Sequence, residues 1–234
     1  MNTFSEAWMN VKDRNILLRM AAGTTDETIV RDSRKTLAKF ISQTLQLSKD
    51  DVVLDFGSGP GFIARTLCDE VKKLYCVDLS DGFIAMCKEE LKDTANTECH
   101  LIPYSDLSCV YEKGITAIYA SAVFIHLNIY DVYIYLQEFH NVLGVGGRVW
   151  LDFKTSHNLS ITDPNFVTHL KFYRTHRKQS TEMHYHSRLM NYYSFDAMEN
   201  LASQVGFAVK SLRHIERPAG RSLSDHQVLL LTKL

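Results

Sequence analysis

Val52-Val53-Leu54-Asp55-Phe56-Gly57-Ser58-Gly59-Pro60-Gly61 is the stretch whose reading decides the fold. Its first five residues, apolar except for Asp55, read as a buried strand, its glycines read as a tight turn, and Phe62 to Glu70 continues at helical spacing. The same alternation runs on downstream: strand Leu74 to Asp78, helix Asp81 to Leu91, strands Glu98 to Ile102 and Ile115 to Ala120, helix Tyr130 to Leu143. Gly144-Val145-Gly146-Gly147 stops that helix before a core strand, Arg148 to Phe153. Upstream, Ile29, Val30, Leu37, Phe40, Ile41 and Leu45 mark an amphipathic helix within Asp26 to Leu47, with Trp8 and Ile16 to Met20 before it as a short lid. Strands alternating with helices predict an α/β fold with a mostly parallel, seven-stranded sheet covered on both faces.

Further on, Asp163-Pro164 opens a helix to about Lys178, and Ser194 caps a helix from Phe195 to Val205 that Gly206 ends. Strands Phe207 to Leu212 and Gln227 to Thr232 are expected to form an antiparallel hairpin. No repeat or linker divides the 234 residues, so one domain is expected over 1–234: a helical lid (1–50), a core (51–153), a substrate-cover insertion (154–193) and a closing helix and hairpin (194–234).

Lysine plus arginine (26) nearly equals aspartate plus glutamate (27), so a net charge of −1 gives no field for gathering polyanions and no nucleic-acid partner is expected. The amino terminus has no signal-peptide stretch, and the longest apolar run, Ile115 to Leu127, is too short to span a bilayer; a cytoplasmic protein without membrane contact is expected. Cys68, Cys76, Cys87, Cys99 and Cys109 lack any Cys-x-x-Cys spacing and read as reduced core thiols.

In an open parallel sheet the ligand crevice lies beyond the carboxyl ends of the strands, where Gly57, Gly59 and Gly61 fall. Asp78, closing the second strand, is positioned to accept the hydroxyls of a ribose. The order Asp55-Phe56-Gly57-Ser58-Gly59-Pro60-Gly61 with Asp78 resembles the S-adenosylmethionine-dependent methyltransferases of the Rossmann-like class. Ser105-Asp106-Leu107, Ala120 through Leu127, Val142 to Arg148, Tyr193-Ser194-Phe195 and Gly206-Phe207 extend the resemblance from Asp51 to the C-terminus. One departure is Thr116, where many members carry an acid.

The resemblance implies S-adenosyl-L-methionine as cofactor. Asp55, Gly57, Ser58, Gly59 and Gly61 would hold its methionine part, Asp78 with Leu79 its ribose, and Asp106 with Leu107 its adenine. Ala120 and Ser121 would face the methionine tail.

Methyl transfer is an in-line displacement, so alignment and water exclusion are the main tasks, and a base is needed only if the acceptor must lose a proton. His126 is the candidate base, with a loop-shaping role as the alternative. Lys171, Arg174 and Lys178 share one face of the helix opened by Asp163, and His184, His186 and Arg188 alternate with apolar residues. If Arg174, His184, His186 and Arg188 line the crevice, the acceptor is a small anionic molecule, a carboxylate or phosphate-type oxygen. No third ligand accompanies His184-x-His186, so no metal is expected. Alternatives are N-methylation of a small amine, a NAD-dependent oxidoreductase, and a binding-only protein of the same fold; oligomeric state is not readable.

Overall fold

The computed structural model, which describes residues 8–9, 11–103, 106–155, 167, 170–171, 174, 190–212 and 226–234, turns these runs into an alternating α/β chain. Its elements are α1 (Arg14–Ala22), α2 (Glu27–Leu45), β1 (Val52–Phe56), α3 (Phe62–Leu67), β2 (Lys73–Asp78), α4 (Asp81–Glu90), β3 (Thr97–Leu101), β4 (Ile115–Ala120), α5 (Ile129–Val142), β5 (Leu143–Thr155), β6 (Tyr192–Tyr193), α6 (Phe195–Val205), β7 (Phe207–Leu212) and β8 (His226–Lys233). Short 3-10 turns follow α3 at Cys68–Glu70 and β4 at Phe124–His126. Local chemistry sets the starts: Asp26, Ser80, Asn128 and Ser194 each accept backbone N–H groups at the N-terminus of the helix that follows.

The strands lie in the order β3-β2-β1-β4-β5-β8-β7, with β1 to β5 parallel and β8 running antiparallel to both β5 and β7. The late strands are therefore the expected hairpin, with β8 inserted between β5 and β7. Seven strands form the continuous ladder, and an eighth, two-residue β6 pairs with the end of the long β5 through Lys154 and Thr155. β1 is flanked by β2 on one side and β4 on the other, so the strand order reverses there and a crevice opens beyond their carboxyl ends.

Alternate residues bury on opposite faces. Leu54, Phe56, Val77, Ile118, Val149, Leu151 and Phe153 pack with Tyr135, Leu136 and Phe139 of α5 and Met198 of α6. Val53, Leu74, Ala117, Tyr119 and Trp150 pack with α2 through Leu37, Ala38, Ile41 and Leu45. Most of α2 is thus core rather than lid; the lid-like part of the first fifty residues is Trp8 to Gly23. That segment has its own apolar cluster, in which Val11, Leu17 and Leu18 meet Val30, Phe62, Phe83 and Met86.

At the opposite end of the sheet from the crevice, the buried Asp51 ties three strands. Its carboxylate accepts the Thr116 hydroxyl at 2.7 Å and pairs with the Arg148 guanidinium, and the Thr116 hydroxyl takes the Val52 N–H at 3.1 Å. Thr116, the departure in the sequence, is a structural tie. Among the described residues no helix is long and apolar enough to cross a membrane.

Candidate functional site

The glycine turn is held against β2. Gly57 and Ser58 both donate to the Val77 carbonyl, at 2.9 and 3.0 Å, and Gly59 donates to Asp78 Oδ2 at 2.9 Å. Gly57 sits at φ +73, and a Cβ there would lie 2.3 Å from the Val123 side chain, so only glycine fits. Gly59, at φ +54, has nothing within 4 Å of its Cβ position, which leaves bare backbone facing open space.

Two carboxyls bracket the turn. Asp55, 2% exposed, is pushed up to about 8 by burial, with Asp78 adding to the rise and the Tyr119 hydroxyl opposing it. Its Oδ2 has no hydrogen-bond partner among the described residues. Asp78 is raised to about 6, also by burial, although the N–H groups of Ser80, Gly59 and Leu79 pull the other way. A buried acid held at the edge of ionisation is poised to meet a cationic or hydroxyl-rich ligand.

A cavity of about 630 Å³ opens on this turn, within the size range of small-molecule sites. Asp55, Gly57, Ser58, Gly59, Asp78, Leu79, Ser121 and His126 line it together. Trp8 lines the cavity as well, with its ring 5.8 Å from Phe83 and 5.2 Å from the His126 imidazole.

Other sequence-predicted residues fall elsewhere. Gly61 underlies the turn and faces Cys87, and Ala120 is fully buried within the core. Asp106 lies off the cavity, where its carboxylate accepts the Ser108 N–H at 2.7 Å as a turn cap, which holds it below the usual carboxylate range. Leu107 is buried and donates its N–H to Glu138 at 3.3 Å. Arg174 is an exposed helical residue; His184, His186 and Arg188 lie outside the described residues.

Sequence reasoning missed a second wall of the cavity. Asp152, 1% exposed, accepts the Ala122 N–H through Oδ1 at 2.6 Å and meets His226 Nδ1 through Oδ2 at 3.0 Å. The antiparallel pairing of β5 with β8 sets Lys154 opposite His226, and both line the cavity with Arg34 of α2. Desolvation holds the half-buried Arg34 guanidinium below its ordinary value, with the Asp152 charge opposing that shift. One signal was available: Asp152 and Lys154 interrupt an otherwise apolar strand.

Residues 53–147 match the family model for a methyltransferase domain. The ribosomal RNA small subunit methyltransferase A of Clostridium botulinum (strain Langeland) is 30% identical over 71 residues, which is 30% of this chain and 23% of that protein, so the match spans under a quarter of the relative's length. Among solved structures, a chain of the Haloferax volcanii complex between the Trm112 methyltransferase activator and a methyltransferase superposes with TM-score 0.65 at 17% identity, over 95% of this chain and 99% of that one. An S-adenosylmethionine-dependent methyltransferase from Clostridium acetobutylicum superposes with TM-score 0.59 at 12% identity, over 86% and 91%. With the strand order, the glycine turn and the crevice above it, these likenesses agree: residues 53–147 are similar to a methyltransferase domain, and the chain has the Rossmann-like fold of the methyltransferase structures it superposes on.

Proposed function

We propose that the protein transfers a methyl group from S-adenosylmethionine to a small-molecule oxygen, with an anionic carboxylate or phosphate-type compound as acceptor. The observation that carries the cofactor assignment is the set of buried oxygens around the turn. Asp55 Oδ2, Ser58 Oγ and Ser121 Oγ have no hydrogen-bond partner among the described residues, and all three residues line the cavity. Such acceptors suit the ammonium of an amino acid, and Asp78 suits a ribose. Leu79 and Ile102 offer apolar contact beyond Asp78 for the adenine. Asp106 and Leu107, proposed for the adenine from sequence, would need that base to reach past Ile102.

When bound, S-adenosylmethionine supplies a methyl on a positively charged sulfur. The glycine turn then orients the amino-acid end, Trp8 and α1 keep water from the reacting atoms, and His126 accepts a proton where the acceptor has one to lose. Arg34, Lys154 and His226 support an anionic acceptor, because they add cationic or protonatable groups to the lining of the same cavity. A second reading takes His226 as the proton acceptor: Asp152 beside Nδ1 favours the tautomer protonated there and leaves Nε2 as the basic nitrogen.

Thermal unfolding with S-adenosylhomocysteine, S-adenosylmethionine and NAD tests the cofactor, since a ligand at about 100 times its dissociation constant adds roughly 2.7 kcal/mol. Stabilisation by the adenosyl-sulfur compounds alone is expected. Labelled methyl transfer to carboxylates, phosphate compounds, neutral amines and ribosomal RNA then tests the acceptor. Transfer only to amines or RNA overturns the anionic small-molecule reading, and NAD-only stabilisation overturns the whole.

A further inference from the structure

Three of the five cysteines meet behind the glycine turn. Cys76 on β2 and Cys99 on β3 are paired in register, so their side chains share a sheet face, and α4 crosses that face and brings Cys87 onto it. All three sulfur atoms lie within 4.8 Å of one another, and Cys87 Sγ stands 3.3 Å from Cys99 Sγ. No His, Asp or Glu joins the group among the described residues.

We propose that Cys76, Cys87 and Cys99 form a binding site for a soft, thiophilic metal ion of low coordination number, Cu(I) being the fitting case. Metal–sulfur bonds of about 2.3 Å in a trigonal arrangement set the sulfurs about 4 Å apart, which the cluster meets with sub-ångström adjustment. Three thiolates without nitrogen or oxygen ligands select soft ions over Mg²⁺ or Ca²⁺, and a three-ligand set leaves Zn²⁺ short of its usual four. Cys76 and Cys87 are fully buried, whereas Cys99 is half-buried on the edge strand β3. Cys99 therefore provides the entry path from solvent, and each thiol that ligates gives its proton to solvent. Gly61 ties the site to the turn, because a Cβ there would lie 2.9 Å from Cys87 Sγ.

The site is independent of the acceptor and of catalysis, so it is tested by metal binding alone. Reduced, anaerobic full-length protein is titrated against Cu(I) held by a chromophoric chelator, with Zn²⁺ in a parallel arm. The expected result is one equivalent of Cu(I) withdrawn from the chelator, with affinity lowered at least 100-fold in Cys99→Ser and in Cys87→Ser and unchanged in Cys68→Ser and Cys109→Ser. Circular dichroism checks the fold; if Cys87→Ser fails to fold, Cys99→Ser on the partly exposed edge decides alone. No withdrawal by the folded wild type, retention of Cu(I) in Cys99→Ser, or preference for Zn²⁺ overturns the proposal.

Discussion

Asp78 Oδ2 accepts the Gly59 N–H at 2.9 Å, and Asp78 Oδ1 accepts the Ser80 N–H at the same distance. The acid that closes β2 therefore fastens the glycine turn on one side and the start of α4 on the other. Its removal loosens the turn and, on the proposed function, also subtracts a ligand contact. Asp78→Ala is expected to weaken S-adenosylhomocysteine binding by about 1.5 to 3 kcal/mol, roughly 10- to 150-fold, read by calorimetry. Asp106→Ala, at a turn cap outside the cavity, is expected to change it less than about twofold; a larger loss would return the adenine to Asp106.

Asp55 makes unliganded stability depend on pH. Its carboxyl titrates at about 8 in the folded chain against about 3.8 for the free side chain, so the folded state holds a proton that the unfolded state has lost between those values. Stability from this group consequently falls as pH rises through that window, by at most about 1.4 kcal/mol per unit. Denaturant unfolding at pH 5, 6 and 7 is expected to show a steeper decline for wild type than for Asp55→Asn. Equal slopes would mean that Asp55 is ionised in the folded chain.

The strap over the cavity rests on a glycine. A Cβ on Gly82 would lie 2.1 Å from the Val11 carbonyl oxygen and 2.8 Å from Leu17 Cδ1. Gly82→Ala is expected to displace residues 11 to 22 at a cost of about 1–3 kcal/mol, with faster amide exchange there and faster ligand release. Amide exchange unchanged in that segment would show that α1 holds its place by other contacts.

Asp152 stands beside the protonatable groups of the second wall, and its two oxygens serve two segments. Asp152→Ala leaves the Ala122 N–H and His226 without it, and is expected to cost about 2–4 kcal/mol in urea unfolding. Asp152→Asn keeps an oxygen for Ala122, which holds a left-handed φ of +58 in the loop after β4, and should recover part of that loss. Equal destabilisation by both would assign the energy to the His226 contact alone.

What was legible from sequence is what is local. Most of the strands, the cap residue Ser194, the glycine turn and Asp78 each announce themselves within a few residues, through alternation, a side-chain oxygen before an apolar run, or a glycine-rich turn; β5 starts earlier than expected, at Leu143, and the two-residue β6 gives no local signal. The Asp152–His226 contact joins residues that only the pairing of β5 with β8 brings together, and the Cys76–Cys99 pairing depends on the register of β2 with β3. Asp106 illustrates the reverse difficulty: an acid after a strand serves a ligand or caps a turn, and its own sequence reads the same either way. The helical period of α2 could not say whether that helix covers the cavity or the sheet; its burial on Trp150 and Val53 decides for the sheet.

The tie among Asp51, Thr116 and Arg148 has an engineering consequence. Register is pinned where the strands begin, far from the cavity, so the loops where they end are free to be exchanged like cassettes. Grafting a different Trp8-to-Gly23 strap, or a different loop after β4, should reshape the cavity while the strand register stays that of the parent, provided the graft keeps the strap's buried Val11, Leu17 and Leu18 and the loop's contact with Asp152.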